Sequence, residues 1–435
     1  MLAILVAASL PVDLGKLADA RLSIGVSVGL SVTTGAGKDV MGRHDRMRLV
    51  PASNQKLYSM AYALHTFGPN HRLETRFWKE DDAVVVDAEG DPGLSIERLA
   101  GVRDQLGITG AETVKVRQPF AVVTPPSWEE DDRGYGYAAR ITALTLNGGV
   151  MTATYRGGQV VFEPNDPDIK VIFLPSDGAL NVDFDPKLKV MILSGKMPTE
   201  GENLGRFAIP QPDRLAAGVL GSGFEEAVVV PNRAPDAVIR SQTISELMTR
   251  CLQVSDNVIA EHLFLAAAAK SGPLGADPYT TAGRRMRDFY VKTVGGQERD
   301  FRPIDGSGMS RHNLVTAKGT TLLLNWALKQ PTKKLWIDAM AKPGVGTLRS
   351  RLSGVNFAGK TGTLNSVSGL SGYVLDAKGE PKFVASILQN HYIDGNGGAQ
   401  TFADNVIRRL AAASPQASAL RPEPDSPRRY MLAAR

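Results

Sequence analysis

The stretch Pro51-Ala52-Ser53-Asn54-Gln55-Lys56-Leu57 decides how the rest of this chain is read. The run 54–67 has the composition of a helix, with Ser53 or Asn54 as its N-cap. Residues three apart on a helix share a face, so the Lys56 amine would stand beside the Ser53 hydroxyl. A serine is a weak nucleophile until a neighbouring base accepts its proton. Lysine serves only where burial or adjacent positive charge lowers its pKa. The Ser53 backbone N–H, at the helix start, is also placed to donate to a developing oxyanion. Alone, Ser-x-x-Lys is common, and its simplest meaning is a cap followed by a solvated lysine.

Two later motifs change that reading. Ser255-Asp256-Asn257 fits Ser-x-Asn, and Lys360-Thr361-Gly362 comes after it in order. Ser53 is the only serine with Lys three later, and Ser255 the only one with Asn two later. Alone, Ser255-Asp-Asn would be a helix cap. Lys270-Ser271-Gly272 loosely repeats the third motif, but Gly after a terminal Lys is helix-stop chemistry. Lys360 is a candidate source of the positive charge that would activate Lys56.

A competing motif overlaps the third element. Gly354-Val-Asn-Phe-Ala-Gly359-Lys360-Thr361 satisfies the phosphate-loop pattern, which needs a strand before it and a helix after it. Here Gly362, Gly369 and Gly372 interrupt the segment on its C-terminal side, Val367, Leu370, Tyr373 and Val374 suit strands, and 349–353 is polar. The nucleotide reading is set aside.

Composition narrows the class. The chain has 435 residues, more than one hydrophobic core usually organises. Apolar residues at 43% and charged residues at 22% match folded soluble protein. The net charge of +5 is scattered rather than striped, which argues against nucleic acid as a partner. Cys251 is the only cysteine and is read as core; the six histidines, His262 among them, show no metal spacing. No metal or cofactor is expected.

Residues 1–10 form an apolar run much shorter than the roughly 20 residues of a membrane span. They are read as a candidate remnant of a secretory signal, with a buried N-terminal segment as the alternative and no transmembrane segment elsewhere. Residues 21–34 alternate like a half-buried strand or hairpin, with Leu22, Ile24, Val26 and Val28 inward. From 76 to 231 short β-branched runs are broken by Gly, Pro and Asp, the texture of a β-rich module. Helices are expected at 243–254, 257–270, 282–294, 317–329 and 398–412, with strands at 369–376 and 382–390. Residues 413–435 read as a loose tail.

With the three motifs in place, the chain resembles the peptidase S13 family, class C low-molecular-mass penicillin-binding proteins that act as D-alanyl-D-alanine carboxypeptidases and endopeptidases. The resemblance rests on Pro51–Leu57, Gly90-Asp-Pro92, Trp128-Glu-Glu-Asp-Asp132 with Tyr135-Gly-Tyr-Ala138, and Ser255-Asp-Asn-Val-Ile-Ala-Glu261. Asp305-Gly-Ser-Gly-Met-Ser-Arg311 and Gly359-Lys-Thr-Gly-Thr-Leu364 with Val367–Tyr373 complete it. About 200 residues separate Ser53 from Ser255, too many for a class A β-lactamase.

The resemblance implies an α+β fold. A serine β-lactamase/DD-transpeptidase-like domain, an antiparallel sheet flanked by helices plus a helical subdomain, would span 11–75 and 232–412. A β-rich insertion at 76–231 would interrupt it. It implies Ser53 as nucleophile, Lys56 as base, Ser255 as proton relay and Asn257 on the substrate amide. Lys360, Thr361 and Thr363 would meet the terminal carboxylate, while Asp131 or Asp132, Arg311 and Leu364 would line the substrate side-chain pocket. Two bland readings compete: Asp131 and Asp132 as a solvated acidic face, Arg311 as a brace for the Asp305 loop. The implied substrates are peptidoglycan stem peptides, the inhibitors β-lactams, and the location exported, in the periplasm or on the outer envelope face. A penicillin-binding sensor with little turnover and a β-lactamase are the alternatives.

Overall fold

The computed structural model describes residues 2–121, 123–227 and 229–414, with the backbone alone for 2–9. Most of the expected tail, 415–435, lies outside the described residues.

A five-stranded antiparallel sheet joins the two ends of the chain. Its spatial order is Phe357–Leu364, Val367–Leu375, Pro381–Asn390, Ser27–Thr34 and Asp39–Arg43. Val28, Leu30 and Val32 face the helices Leu2–Leu22 and Gly395–Ala412, and the helix Ala317–Ala327 covers the opposite face. The strand at 27–34 is therefore buried on both sides, where the alternation had suggested one solvated face. Small polar groups survive there because they are paired. Ser31 Oγ lies 2.9 Å from Thr321 Oγ1, and Asn325 Nδ2 donates to Thr33 Oγ1 at 2.9 Å. Leu22 ends the first helix and Ile24 is exposed, so the strand begins later than the alternation placed it. That helix runs unbroken across the 10/11 division, and Leu10, Leu14 and Ala18 are buried in the domain core. No helix among the described residues is long and apolar enough to cross a membrane.

The helical subdomain surrounds Gln55–Phe67, which is buried at every position from Gln55 to Leu64. Around it pack Ile244–Val254, Asn257–Ala269 and Pro278–Phe289. Side chains satisfy the free N–H groups at their starts: a Thr243–Glu246 capping box, Asp256 accepting from Ile259 N, and Asp277 accepting from Thr280 N. The last of these helices begins at Pro278 rather than 282, since Pro fits a first helical turn, and it closes in a π-helical turn, Tyr290–Val294. The stop expected at Lys270-Ser271-Gly272 is present, with Gly272 at φ 120°.

The interruption is built of three sheets. A mixed one runs Gly223–Glu226, Thr113–Arg117, Ala83–Ala88, Arg72–Lys79 and Ala237–Thr243. Phe77 pairs with Ala237, so the divisions expected at 75/76 and 231/232 fall respectively inside a strand and within the span of one sheet. The other two sheets, three-stranded each, share a small core of Met151, Phe162, Phe184, Met191 and Phe207. The helix Ile96–Leu106 is an addition to the β-rich reading, although Ser95 caps it and Gly107 ends it in the left-handed conformation.

Candidate active site

The chain enters the site through Ala52, whose φ of 46° lies in the left-handed region that non-glycine residues rarely adopt. One 3₁₀ turn, Ala52–Asn54, then feeds the helix Gln55–Phe67. Neither Ser53 nor Asn54 caps that helix with its side chain. Ser53 is instead engaged by Lys56, whose Nζ lies 3.0 Å from Ser53 Oγ.

Two strands press flat against this turn. Gly362 and Gly369 are cross-strand partners, and a Cβ on either would meet Asn54 Nδ2, at 2.8 and 2.5 Å. A Cβ on Gly362 would also stand 3.1 Å from Ser53 N. Only glycine allows that approach, which carries the Lys360-Thr361-Gly362 backbone past the serine. The glycines that interrupt the phosphate-loop pattern thus have a packing reason, and the strand Val367–Leu375 stands where that pattern needs a helix.

Lys56 is wholly buried and meets three oxygens. Besides Ser53 Oγ, its Nζ donates to Asn257 Oδ1 at 2.7 Å and to the Ser307 carbonyl at 2.8 Å. Asn257 Nδ2 donates to the Tyr137 carbonyl at 2.9 Å, which fixes the amide with its oxygen toward Lys56. Burial lowers the Lys56 amine from the usual lysine range, opposed by Cys251, Asp305, Glu261 and Asp256. A neutral amine has two protons and one lone pair. Asn257 Oδ1 and the Ser307 carbonyl can only accept, so the protons go to them and the lone pair faces the Ser53 hydroxyl.

Ser255, at φ 63°, closes Ile244–Val254, and Asp256 opens the next helix, so a two-residue joint presents Ser255 and Asn257 together. Lys360 Nζ donates to Ser255 Oγ and to the Thr361 carbonyl, both at 2.9 Å. Burial, then the charge of Lys56, lowers Lys360 well below its usual range. The sequence suggested the reverse influence, Lys360 activating Lys56. In the structure burial is the leading cause at Lys56.

Beneath these groups lies a support whose acids, Glu261 and Asp305, stand in the resemblance motifs but were given no role from sequence. Gly306 N and Ser307 N donate to Glu261 at 3.0 and 2.7 Å, and Gly308 N and Ser310 N donate to Asp305, each at 2.7 Å. Trp128 Nε1 donates to Asp305 Oδ2 at 2.9 Å, tying the insertion to the same loop. Burial, with Asp305 nearby, pushes the Glu261 carboxyl up to about 8. Its signal was legible: Glu261 interrupts an apolar helix, and a buried acid requires partners. His262 in that helix serves structure, its ring nitrogens facing the Val258 and Thr142 carbonyls.

A model of the D-Ala-D-Ala carboxypeptidase 3 (S13) family matches residues 15–412. The chain belongs to that family. The D-alanyl-D-alanine carboxypeptidase of Actinomadura sp. (strain R39) is 27% identical over 456 residues, covering 91% of this chain and 83% of the relative. DacB of Haemophilus influenzae, also a D-alanyl-D-alanine carboxypeptidase, is 28% identical over 407 residues, covering 81% and 83%. The crystal structure of penicillin binding protein 4 (dacB) from H. influenzae superposes with a TM-score of 0.75 at 20% identity, covering 92% of this chain and 99% of that one. This S13 member is a serine-type D-Ala-D-Ala carboxypeptidase with the α+β penicillin-binding-protein fold.

The remaining site candidates of this S13 chain lie on the sheet edge and the insertion. Thr361 Oγ1 lies 2.8 Å from Thr347 Oγ1, Thr363 is exposed on the same strand, and Leu364 ends it half-buried. Arg311 donates to Glu129 Oε1 at 2.9 Å and to the Asn365 carbonyl at 3.0 Å. It links the insertion to the turn between two sheet strands rather than bonding to Asp305. Asp132 accepts from the Tyr137 hydroxyl at 2.7 Å. Asp131 lines a separate cavity of about 270 Å³ with Arg140, Asp183 and Lys187.

Proposed function

We propose that this carboxypeptidase works through an acyl-enzyme on Ser53, with neutral Lys56 as the base. The observation that carries the reading is the buried Lys56 amine, 3.0 Å from Ser53 Oγ and otherwise facing two oxygens that only accept. The Ser53 proton passes to Lys56 Nζ as Oγ bonds to the carbonyl carbon of the penultimate D-alanine. The resulting oxyanion meets the Ser53 N–H at the helix start and the Thr363 N–H of the adjacent strand. When the C–N bond breaks, the leaving amine takes a proton through Ser255, which Lys360 orients. Thr361, Thr363 and Lys360 hold the terminal carboxylate, and Asn257 the acyl-side amide. Water then attacks the ester, returning the proton to Ser53 and releasing the shortened peptide.

The same chemistry opens a β-lactam ring, leaving a stable ester on Ser53, and cleaves D-Ala-diamino acid cross-links where the cleft admits them. Peptidoglycan stem peptides are the substrate class, which places the protein outside the cytoplasm, in the periplasm or on the outer face of the envelope.

The test is D-alanine release from a blocked acyl-D-Ala-D-Ala peptide. Ser53→Ala is expected to reduce it to background, and residual release above about one part in a thousand would overturn the assignment. The pH dependence has a definite sign. Because Lys56 is lowered from 10.5 and must be neutral to act, kcat/KM should rise with pH through the lowered value and level off before 10.5. A rate still climbing with slope one through pH 10.5 would contradict a depressed base.

A further inference from the structure

A cavity of about 490 Å³ adjoins the catalytic groups and is used by no step of that reaction. Ser255 and Asn257 line it, together with Tyr137 and Gly148 from the insertion. Gly148, at φ 65°, is seated so that a Cβ would touch Val258 Cγ1 at 3.0 Å, which holds that loop close to the helix after Asn257. The space therefore lies at the joint between the insertion and the helical subdomain, next to the side chain assigned to the acyl-side amide.

Its charge is asymmetric. Arg206, on the insertion strand Asn203–Ala208, is exposed, and its guanidinium has no hydrogen-bond or ion-pair partner among the described residues. Arg250, on Ile244–Val254, is 60% exposed and reaches only Asp256, at 3.4 Å. Two guanidiniums thus share a cavity whose one carboxylate is occupied as a helix cap. An unpartnered Arg206 beside an Arg250 held only by one longer ion pair suits a further carboxylate, which arginine binds through two parallel N–H groups.

We propose that this cavity is an acyl-side subsite that binds a free carboxylate of the stem peptide, on the side of the scissile bond away from the terminal D-alanine. The inference rests on the peptidase reading and deepens it: Arg206 and Arg250 set preference among stem peptides, while Ser53 and Lys56 perform cleavage. A γ-linked D-glutamyl unit, whose α-carboxylate is free or amidated, supplies the matching chemistry.

Two peptides with the same D-Ala-D-Ala end, differing only in a free or amidated D-glutamyl α-carboxylate, test it on the full chain. The readout is the ratio of their kcat/KM values, which cancels any general loss of activity. Wild type should favour the carboxylate about tenfold, chiefly through KM, as one charge-assisted contact would give. Arg206→Gln, and separately Arg250→Gln, should bring the ratio toward one. Equal use of both peptides by wild type, or a ratio unchanged in both variants, would overturn the subsite and leave the peptidase reading standing. Failure of wild type to cleave either peptide would overturn both.

Discussion

Lys56→Met is expected to lower kcat/KM for D-alanine release by about a thousandfold or more while leaving the protein folded, because general-base catalysis at a serine commonly supplies effects of that size. Methionine follows the lysine side chain as far as Cε, with sulfur in place of Cδ, and lacks the amine, so most of the packing around the wholly buried side chain is kept. The change leaves Asn257 Oδ1 and the Ser307 carbonyl without that donor, a loss of about 1–3 kcal/mol each. It also relieves the desolvation of a buried amine, which acts in the opposite direction. The melting temperature should therefore move by only a few degrees. Steady-state kinetics and a thermal melt on one preparation check both halves, and activity within tenfold of wild type would remove Lys56 from the base role.

The second large effect concerns Gly308. A Cβ there would lie 1.9 Å from the Ala52 carbonyl oxygen and 2.8 Å from Gln55 Cβ, at a φ of 89°. Gly308→Ala must displace the turn that carries Ser53. The collision and the backbone strain together should cost about 2–5 kcal/mol. Gly354→Ala is the control, since φ there is 76° but nothing lies within 4 Å, so only strain of about 1 kcal/mol is added. Urea melts should separate the two variants by more than about 1 kcal/mol, and D-alanine release should fall only in Gly308→Ala. Equal effects would mean that the contact with Ala52 does not shape the site.

The catalytic grouping was legible because its spacing is local. Ser53 and Lys56 lie one helical turn apart, and Ser255 and Asn257 flank one helix joint, so spacing placed each pair, while the order of the three motifs and the family resemblance suggested their roles. The strand that carries Lys360, Phe357–Leu364, was not expected, since strands in this region were placed only at 369–376 and 382–390; Gly362 and Gly369 argued only against the helix that a phosphate loop needs. What was missed depends on the third dimension. Glu261 acts through the backbone of a loop 45 residues away, and Arg311 through Glu129 across 182 residues, contacts that no spacing in the chain encodes. The strand at 27–34 alternates as a half-buried strand would, yet its polar side is covered by Ala317–Ala327 and paired to Thr321 and Asn325. The insertion's limits were misplaced because 72–79 and 237–243 are ordinary strands in sequence, and only their pairing assigns them to one sheet.

The most direct test of the central claim is the intact mass of the protein after reaction with benzylpenicillin, combined with peptide mapping. An acyl-enzyme on Ser53 predicts one adduct of the whole penicillin mass, because ring opening releases no leaving group. The adduct should lie on the peptide containing Ser53 and be absent from Ser53→Ala. An adduct that persists in Ser53→Ala, or maps to another residue, would contradict the account.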